Sequence, residues 1–436
     1  MKILFIILTI LIADFYYFPI ETVFFSGINS KMILAVIGLG ILVFRLIRNG
    51  NASISKDIFK LTLWAFGISL ASLLSMSINN THDASFLTYF ISMWVWLAGA
   101  YTFIFCIKSI HNQISVELLC NYLIAVCVLQ CCLAIFLNNF PAFDATISSF
   151  LAGEKFMGGE DIGDRLHGIA CALDVAAIRF SAVLVMIAYL VINKRHLFST
   201  RKVAIYMGAF LLIAIVGNMI GRTVTIGIAI SLIYWAFEFF KGNFNYKILR
   251  TLGILLLTCI PLLTIGYNNN KSIHHHLRFG FEGFFSIYEK GHWETGSNNV
   301  LKNMVVFPDN PRTWIIGDGY AANPSEEGTP YYDPYYIGET FHGYYKQTDI
   351  GYLRYIFYFG IIGLGIFICY FIAVGQVCMK NLYRHQFLFI LLLAVNFIVW
   401  FKVSTDLFIA FAPFLCLSQD DEILEEQEEL ELQHAS

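Results

Sequence analysis

Apolar runs of helical length alternate with short polar stretches along most of the chain. Twelve such runs lie near residues 3–20, 31–47, 58–77, 86–107, 115–137, 168–192, 203–219, 223–240, 249–267, 351–378, 386–402 and 405–418. As helices, runs of about 20 apolar residues match the hydrocarbon thickness of a bilayer. The pattern therefore predicts an all-α integral membrane protein with about twelve transmembrane helices. The last two runs are the least regular, because Lys402 and Asp406 interrupt them and the final one is short. The first, Ile3 to Ile20, has no small-residue cleavage site behind it and is expected to be a retained span. No inverted internal repeat of the kind that marks many transporters is visible.

Charge gives the runs a direction. With the N-terminus in the cytoplasm, the inner loops collect Arg45, Arg48, Lys56, Lys60, Lys108, Lys194, Arg195, Arg201, Lys202, Lys241, Lys247, Arg250, Lys380 and Arg384. The short outer turns, Thr81-His82-Asp83 and Gly217-Asn218, carry almost no Lys or Arg. Because these residues resist translocation, the asymmetry predicts an inside N-terminus. Two outer segments are long, roughly 138–167 and 268–350. The expected organisation is a polytopic membrane domain over 1–418, with the large extracytoplasmic loop 268–350 between the ninth and tenth spans. An acidic tail at 419–436, with Asp420-Asp421-Glu422 and Glu425-Glu426, is expected to be cytoplasmic and solvated.

Composition agrees. Only 14% of the 436 residues are charged, against about 25% in soluble proteins, and mean hydropathy is +0.66. The net charge of −3 gives no sign of a nucleic-acid partner. Phe (41) and Tyr (23) are abundant, as lipid-facing helices and interfacial anchors require. All ten cysteines fall in or beside apolar runs, so no disulfide framework is expected in 268–350. Cys131-Cys132 reads as packing.

Six arginines lie on the outer half, against the bias: Arg165, Arg179, Arg222, Arg278, Arg312 and Arg354. Arg179 falls eleven residues into its span, about 16 Å deep at the helical rise, where a charge needs a polar cavity or a partner. Asp174 in the same span is the expected partner; a buried pair that only fixes helix packing is the plainer reading. Arg222 sits where Gly217-Asn218-Met219-Ile220-Gly221-Arg222-Thr223 turns and starts a new helix. Exposed backbone N–H groups and a guanidinium together make an anion site there. The alternative is an arginine reaching to lipid headgroups.

Three stretches resemble the O-antigen polymerase (Wzy) and O-antigen ligase superfamily of bacterial surface polysaccharide assembly. They are Arg165-Leu166-His167-Gly168; Gly221-Arg222-Thr223, similar to that family's Ser-Arg-Ser/Thr turn; and Thr348-Asp349-Ile350-Gly351-Tyr352-Leu353-Arg354, followed by Phe359-Gly360-Ile361-Ile362-Gly363. Trp314-Ile315-Ile316-Gly317-Asp318-Gly319-Tyr320 resembles polymerase loops. The resemblance implies a GT-C-like membrane glycosyltransferase in the bacterial inner (plasma) membrane. Its substrates would be undecaprenyl diphosphate-linked repeat units, and a chain-length regulator is a partner it leaves open. A polymerase would move the growing glycan onto a hydroxyl of the next lipid-linked unit. Arginines would stabilise charge on the bridging phosphate oxygen, in the order Arg222, Arg165, Arg179, Arg354, then Arg278 and Arg312. No cofactor is implied, and no carboxylate cluster resembles a Mg²⁺ site. His274-His275-His276 point about 100° apart on a helix and do not converge on one metal.

The acceptor hydroxyl needs a base or an oriented acceptor. Ligases carry a His-Asn-x-Tyr-Leu-like segment; matching Tyr352-Leu353 to it puts Asp349 at the histidine's place, with His342 and Glu339 upstream. This departure favours a polymerase over a ligase and leaves Asp349, His342 and Glu339 as candidates. Asp349 also reads as a helix N-cap. A lipid-linked glycan transporter is the reading from another class.

Overall fold

The computed structural model describes residues 1–25, 27–49, 55–152, 165–244, 246–327, 331–338 and 343–435. The helices in chain order are α1 (Lys2–Tyr17), α2 (Ser30–Asn49), α3 (Lys56–Asn79), α4 (Tyr89–His111), α5 (Val116–Asn139), α6 (Pro141–Phe150), α7 (Leu173–Asn193), α8 (Thr200–Ile220) and α9 (Val224–Phe240). They continue with α10 (Tyr246–Asn269), α11 (Lys271–Gly280), α12 (Glu282–Lys290), α13 (Gly296–Asn303), α14 (Pro311–Ile316), α15 (Gly351–Asn381), α16 (Gln386–Val399), α17 (Phe408–Leu415) and α18 (Gln419–Ala435). Among the described residues β-structure is limited to isolated bridges. Among the described residues eight helices (α2, α3, α4, α5, α7, α8, α10 and α15) are long and apolar enough to cross a membrane. Of the other expected spans, α9 and α16 are apolar but shorter, α1 has 16 residues, and α17 only 8. The fold is that of a multi-pass, all-α membrane protein.

Sequence sets where several helices begin. Ser55, Ser115 and Ser199 each accept a backbone N–H from the first turn of α3, α5 and α8, at 3.2, 3.0 and 3.3 Å. Such caps satisfy donors that a helix start leaves unpaired. α7 is mostly apolar, and its residues from Ala176 to Ile192, Arg179 and Ser181 included, are buried, packed by α5, α8, α9 and α16. Gly227 lets α9 lie against Ser181 of α7, since any β-carbon there would collide with that residue's backbone.

α15 is broken at Phe359 and Gly360, where Gly360 takes φ of 67°. A break inside a span frees carbonyls that no water can reach, so something must pair them. The loop does so. Asp318 N–H donates to Phe357 O at 2.6 Å, Gly319 N–H to Tyr358 O at 3.1 Å, and the Ser75 hydroxyl to Tyr358 O at 2.6 Å. Gly360 faces the backbone of Ile315 at the end of α14. The segments Trp314–Tyr320 and Phe359–Gly363 are thus one joint. The turn between α3 and α4 grips the same loop: Asp83 accepts the N–H groups of Ala321 and Ala322 at 2.7 and 3.2 Å.

The first turns of the acidic tail are not fully solvated. α18 folds back onto the opposite end of the bundle, with Asp421, Glu422 and Glu425 only 7%, 2% and 4% exposed. Lys194 Nζ lies 2.5 Å from Glu425, Lys108 Nζ 2.8 Å from Asp421, and His385 Nε2 3.6 Å from Glu425. Glu422 accepts the backbone N–H of Tyr383 and Arg384 at 3.2 and 2.7 Å. The loops that the sequence assigns to the inner side gather cations there, and the carboxylates neutralise them. Burial alone would raise the Glu425 carboxyl; His385 and Lys194 outweigh it and hold it below the usual glutamate range. Depressed in the folded state, this carboxyl contributes stability that is complete above the ordinary glutamate value, about 4.3. The contribution is lost as pH falls below it. Glu425→Gln should lower thermal stability in detergent by about 3–5 kcal/mol, by removing the carboxylate that the buried Lys194 and His385 face. The deficit should shrink below pH 4; an unchanged melting temperature at pH 7 would show that the tail does not clamp the bundle.

Candidate functional site

At the loop end a cavity of about 710 Å³ is lined by Arg165, Asp174, Arg222, Arg278, Asp349 and Lys402, with His275, Phe279 and Glu282 among the other wall residues. Its size lies within the range of ligand pockets, roughly 300–1,000 Å³. The break between α8 and α9 organises it. Gly221 lies against α7, where a β-carbon would come within 2.8 Å of Leu173 O. The next residue, Arg222, lines the cavity, and Thr223 takes the N-cap position of α9 without a side-chain cap bond. Leu166 N–H donates to Met219 O at 3.1 Å, which carries Arg165 to the same place.

α11 closes over this break. Gly280 packs on the backbone of Asn218 and Met219 and brings Phe279 between two cations. The Arg222 guanidinium lies 4.5 Å and that of Arg165 5.2 Å from the Phe279 ring centroid. Arg222 is ion-paired with Glu282, whose side chain is 40% exposed, and Arg278 pairs with Glu289 through two hydrogen bonds of 2.8 and 2.9 Å. Among the described residues no carboxylate pairs with Arg165. Burial shifts the Arg165 guanidinium downward, Asp174 opposes this and Arg222 adds to it.

Lys402, which the sequence presents only as an interruption of an apolar run, is the fourth cation. It follows α16, donates to Thr223 Oγ1 at 2.8 Å, and lies 3.6 Å from Asp174 Oδ1. Thr223 also donates to Asp174. Gly351 packs against Trp400 and Val403, and Tyr352 N–H donates to Trp400 O at 3.1 Å. That contact puts Asp349 and Lys402 on one rim.

Comparison with known families, curated proteins and solved structures finds no match. The site therefore rests on its geometry.

Of the residues singled out from sequence, Arg165, Arg222, Arg278 and Asp349 meet at the cavity. Arg354 stands behind it, 3.7 Å from Asp349 and 3.7 Å from the Tyr344 ring centroid, and donates to Ala321 O at 3.2 Å. Arg179 does not line the cavity. It is buried in α7, with its guanidinium 5.3 Å from the Phe18 ring. Nor is Asp174 its partner: five residues along a helix turn the side chain about 140° away, and Asp174 faces Lys402 and Thr223. Arg312 is elsewhere too, donating to Ile78 O at 2.7 Å near the C-terminal end of α3, where a cation suits the helix dipole. The N-cap of α15 is Ile350, with no side-chain cap, so Asp349 does not serve that role. Glu339 and His342 lie outside the described residues. The three histidines diverge: His274 stacks on Tyr267 at 4.1 Å, His275 lines the cavity, and His276 meets Asn138 at 3.1 Å. Among the described residues no His, Cys, Asp and Glu cluster is placed to hold a metal.

Such a wall can bind a polyanion. Glu282 and Glu289 are exposed enough that their pairs are weak, so phosphate oxygens can replace them on the guanidinia. Lys402→Met should weaken inorganic pyrophosphate binding about tenfold or more, the worth of a charge-assisted hydrogen bond. Arg312→Met should leave it unchanged, and Glu282→Gln should tighten it. Equal losses from Lys402→Met and Arg312→Met in a binding titration would remove the cavity as the anion site.

Proposed function

We propose that the chain is a membrane glycosyltransferase of the surface-polysaccharide polymerase kind. In this reading it has twelve spans in a GT-C-like arrangement and sits in the bacterial inner membrane with its N-terminus inside and the cavity at the outer face. The observation that carries the proposal is the convergence of Arg165, Arg222, Arg278 and Lys402 with Asp349 on the rim of one cavity. The sequence resemblance, rather than the geometry, supplies the identity of the donor as an undecaprenyl diphosphate-linked glycan.

In the proposed reaction a hydroxyl of the lipid-linked repeat unit attacks the anomeric carbon at the reducing end of the growing glycan. The new glycosidic bond forms as the bond from that carbon to the phosphate oxygen breaks, and undecaprenyl diphosphate leaves as an anion. Arg222, Arg165 and Lys402 hold the diphosphate and stabilise the charge that grows on the bridging oxygen as the bond opens. Arg222 presents two parallel N–H donors in a planar fork, a geometry that a lysine ammonium lacks. Asp349 accepts the hydroxyl proton, and Arg354 orients it. No step in this scheme needs a metal ion, because the leaving group is already a stabilised anion.

Reconstitution with a lipid-linked repeat unit tests this directly. A polymerase gives a ladder of glycans, a ligase a single transfer to another acceptor, and a transporter moves the lipid-linked unit without lengthening it. Arg222→Ala and Arg165→Ala should each lower polymerisation about 10²–10³-fold, with a remnant left in Arg222→Lys. Asp349→Asn should lower turnover about 10²–10⁴-fold with melting temperature unchanged. Full activity from a normally inserted Arg222→Ala protein would overturn the assignment.

A further inference from the structure

The cations of the cavity are held in different ways. Arg222 pairs with Glu282, Arg278 with Glu289, and Lys402 bonds Thr223. Arg165 meets the Phe279 ring but, among the described residues, no carboxylate, so its place on the wall depends most on its backbone. That backbone is fastened at three points. Leu166 N–H donates to Met219 O at 3.1 Å, His167 Nε2 lies 3.5 Å from Asp144 Oδ2, and Ile169 N–H donates to Gln130 Oε1 at 3.0 Å. Gly168 N–H closes a tight turn on Cys171 O at 2.8 Å, and Ala170 and Leu173 take left-handed φ angles of 54° and 55°. Residues with a β-carbon hold such angles only where their surroundings impose them.

The third fastening comes from inside the helix bundle. Gln130 of α5 is fully buried, and its Nε2 donates to both carboxyl oxygens of Asp14 of α1, at 2.9 and 3.1 Å. Asp14 is itself only 4% exposed. A carboxyl group buried among apolar helices is costly and marks a role. Because both Asp14 oxygens accept from Nε2, the carbonyl end of the amide is turned toward Ile169. Gly168 admits the contact, since a β-carbon there would come within 2.3 Å of Gln130 Oε1.

We propose that Asp14 and Gln130 are positioning residues for Arg165, setting through Gly168 and Ile169 the reach of its guanidinium toward the anion; the inference rests on the diphosphate reading above. Neither residue lines the cavity, so both act through the segment they hold. Asp14 fixes the direction of the amide, the amide fixes the turn, and the turn delivers Arg165.

Titration of the detergent-solubilised full chain with inorganic pyrophosphate tests this in wild type, Arg165→Met, Gln130→Leu, Asp14→Leu, Asp14→Asn and Gly168→Ala. Gln130→Leu and Asp14→Leu should each weaken binding about three- to tenfold, the worth of one buried hydrogen bond. Asp14→Asn keeps an acceptor for Nε2 and should recover most of the loss. Gly168→Ala pushes the segment off Gln130 from outside the helices and should give the same loss, so the test survives if a buried leucine impairs folding. Coupling separates positioning from general support of the fold. On an Arg165→Met background Gln130→Leu, Asp14→Leu and Gly168→Ala should weaken binding no further, because the guanidinium they place is gone; on a Lys402→Met background each should lose its full factor. Equal losses with and without Arg165 would overturn the proposal, as would wild-type affinity in Gly168→Ala and Gln130→Leu. If Arg165→Met binds pyrophosphate as wild type does, the diphosphate site stands without Arg165 and this inference fails alone. If wild type does not bind pyrophosphate, the diphosphate reading fails and this inference falls with it.

Discussion

The interruption between α8 and α9 is the constraint on which the loop end of the bundle depends. Gly221 must fit against Leu173 of α7, so the chain turns there with no room for a side chain, and Arg222 and the Thr223 hydroxyl meet charged groups. Each other part of the site is fastened to that turn. Leu166 hydrogen-bonds Met219, Gly280 rests on Asn218 and Met219, and Lys402 and Asp174 meet at the Thr223 hydroxyl. Four segments far apart in sequence therefore present their charged residues to one space. Helix breaks at membrane depth survive only where other groups take up the freed backbone. The break in α15 follows the same rule, with Asp318 and Gly319 of the loop satisfying Phe357 and Tyr358.

The two ends of the bundle handle charge differently. At the tail end Lys194 and Glu425 are nearly inaccessible and close the structure. At the loop end the pairs of Arg222 with Glu282 and Arg278 with Glu289 have partly exposed members. A buried pair is costly to break from one side, whereas an exposed pair exchanges partners at little cost. The first arrangement suits a clamp and the second a site that must accept and release an anion. Lys402, flanked by Asp174 and held by Thr223, lies between these cases.

Hydropathy was enough to locate the apolar helices, because each of the twelve runs contains one, but it did not mark α6, α11 to α14 or α18. It was not enough to give their lengths, since α17 covers only Phe408–Leu415 of the run 405–418. Arg222 was legible because a glycine and a charge at a turn between two apolar runs have a local meaning. Lys402 was not, because a lone lysine between apolar runs looks like a span boundary until the partner turn is known. Arg179 and Arg312 stand apart from the cavity for a related reason. An excess of arginine on one side says nothing about which face of a helix carries each one, and Phe18 and the end of α3 claim these two. Charge composition made the tail look solvated, and only the packing reveals the cations it neutralises. The Trp314–Tyr320 and Phe359–Gly363 motifs were visible separately, but their mutual contact is a tertiary fact.

The proposed function requires Arg165, Arg222 and Lys402 to form one diphosphate site around the α8–α9 break. A cryo-electron microscopy map of the full chain in a lipid nanodisc with undecaprenyl diphosphate bound would show whether they do. Phosphate density should lie within hydrogen-bonding distance of all three side chains, with the Arg222–Glu282 pair opened. Density against Arg179 or Arg312, with that pair intact and the cavity empty of phosphate, would contradict it.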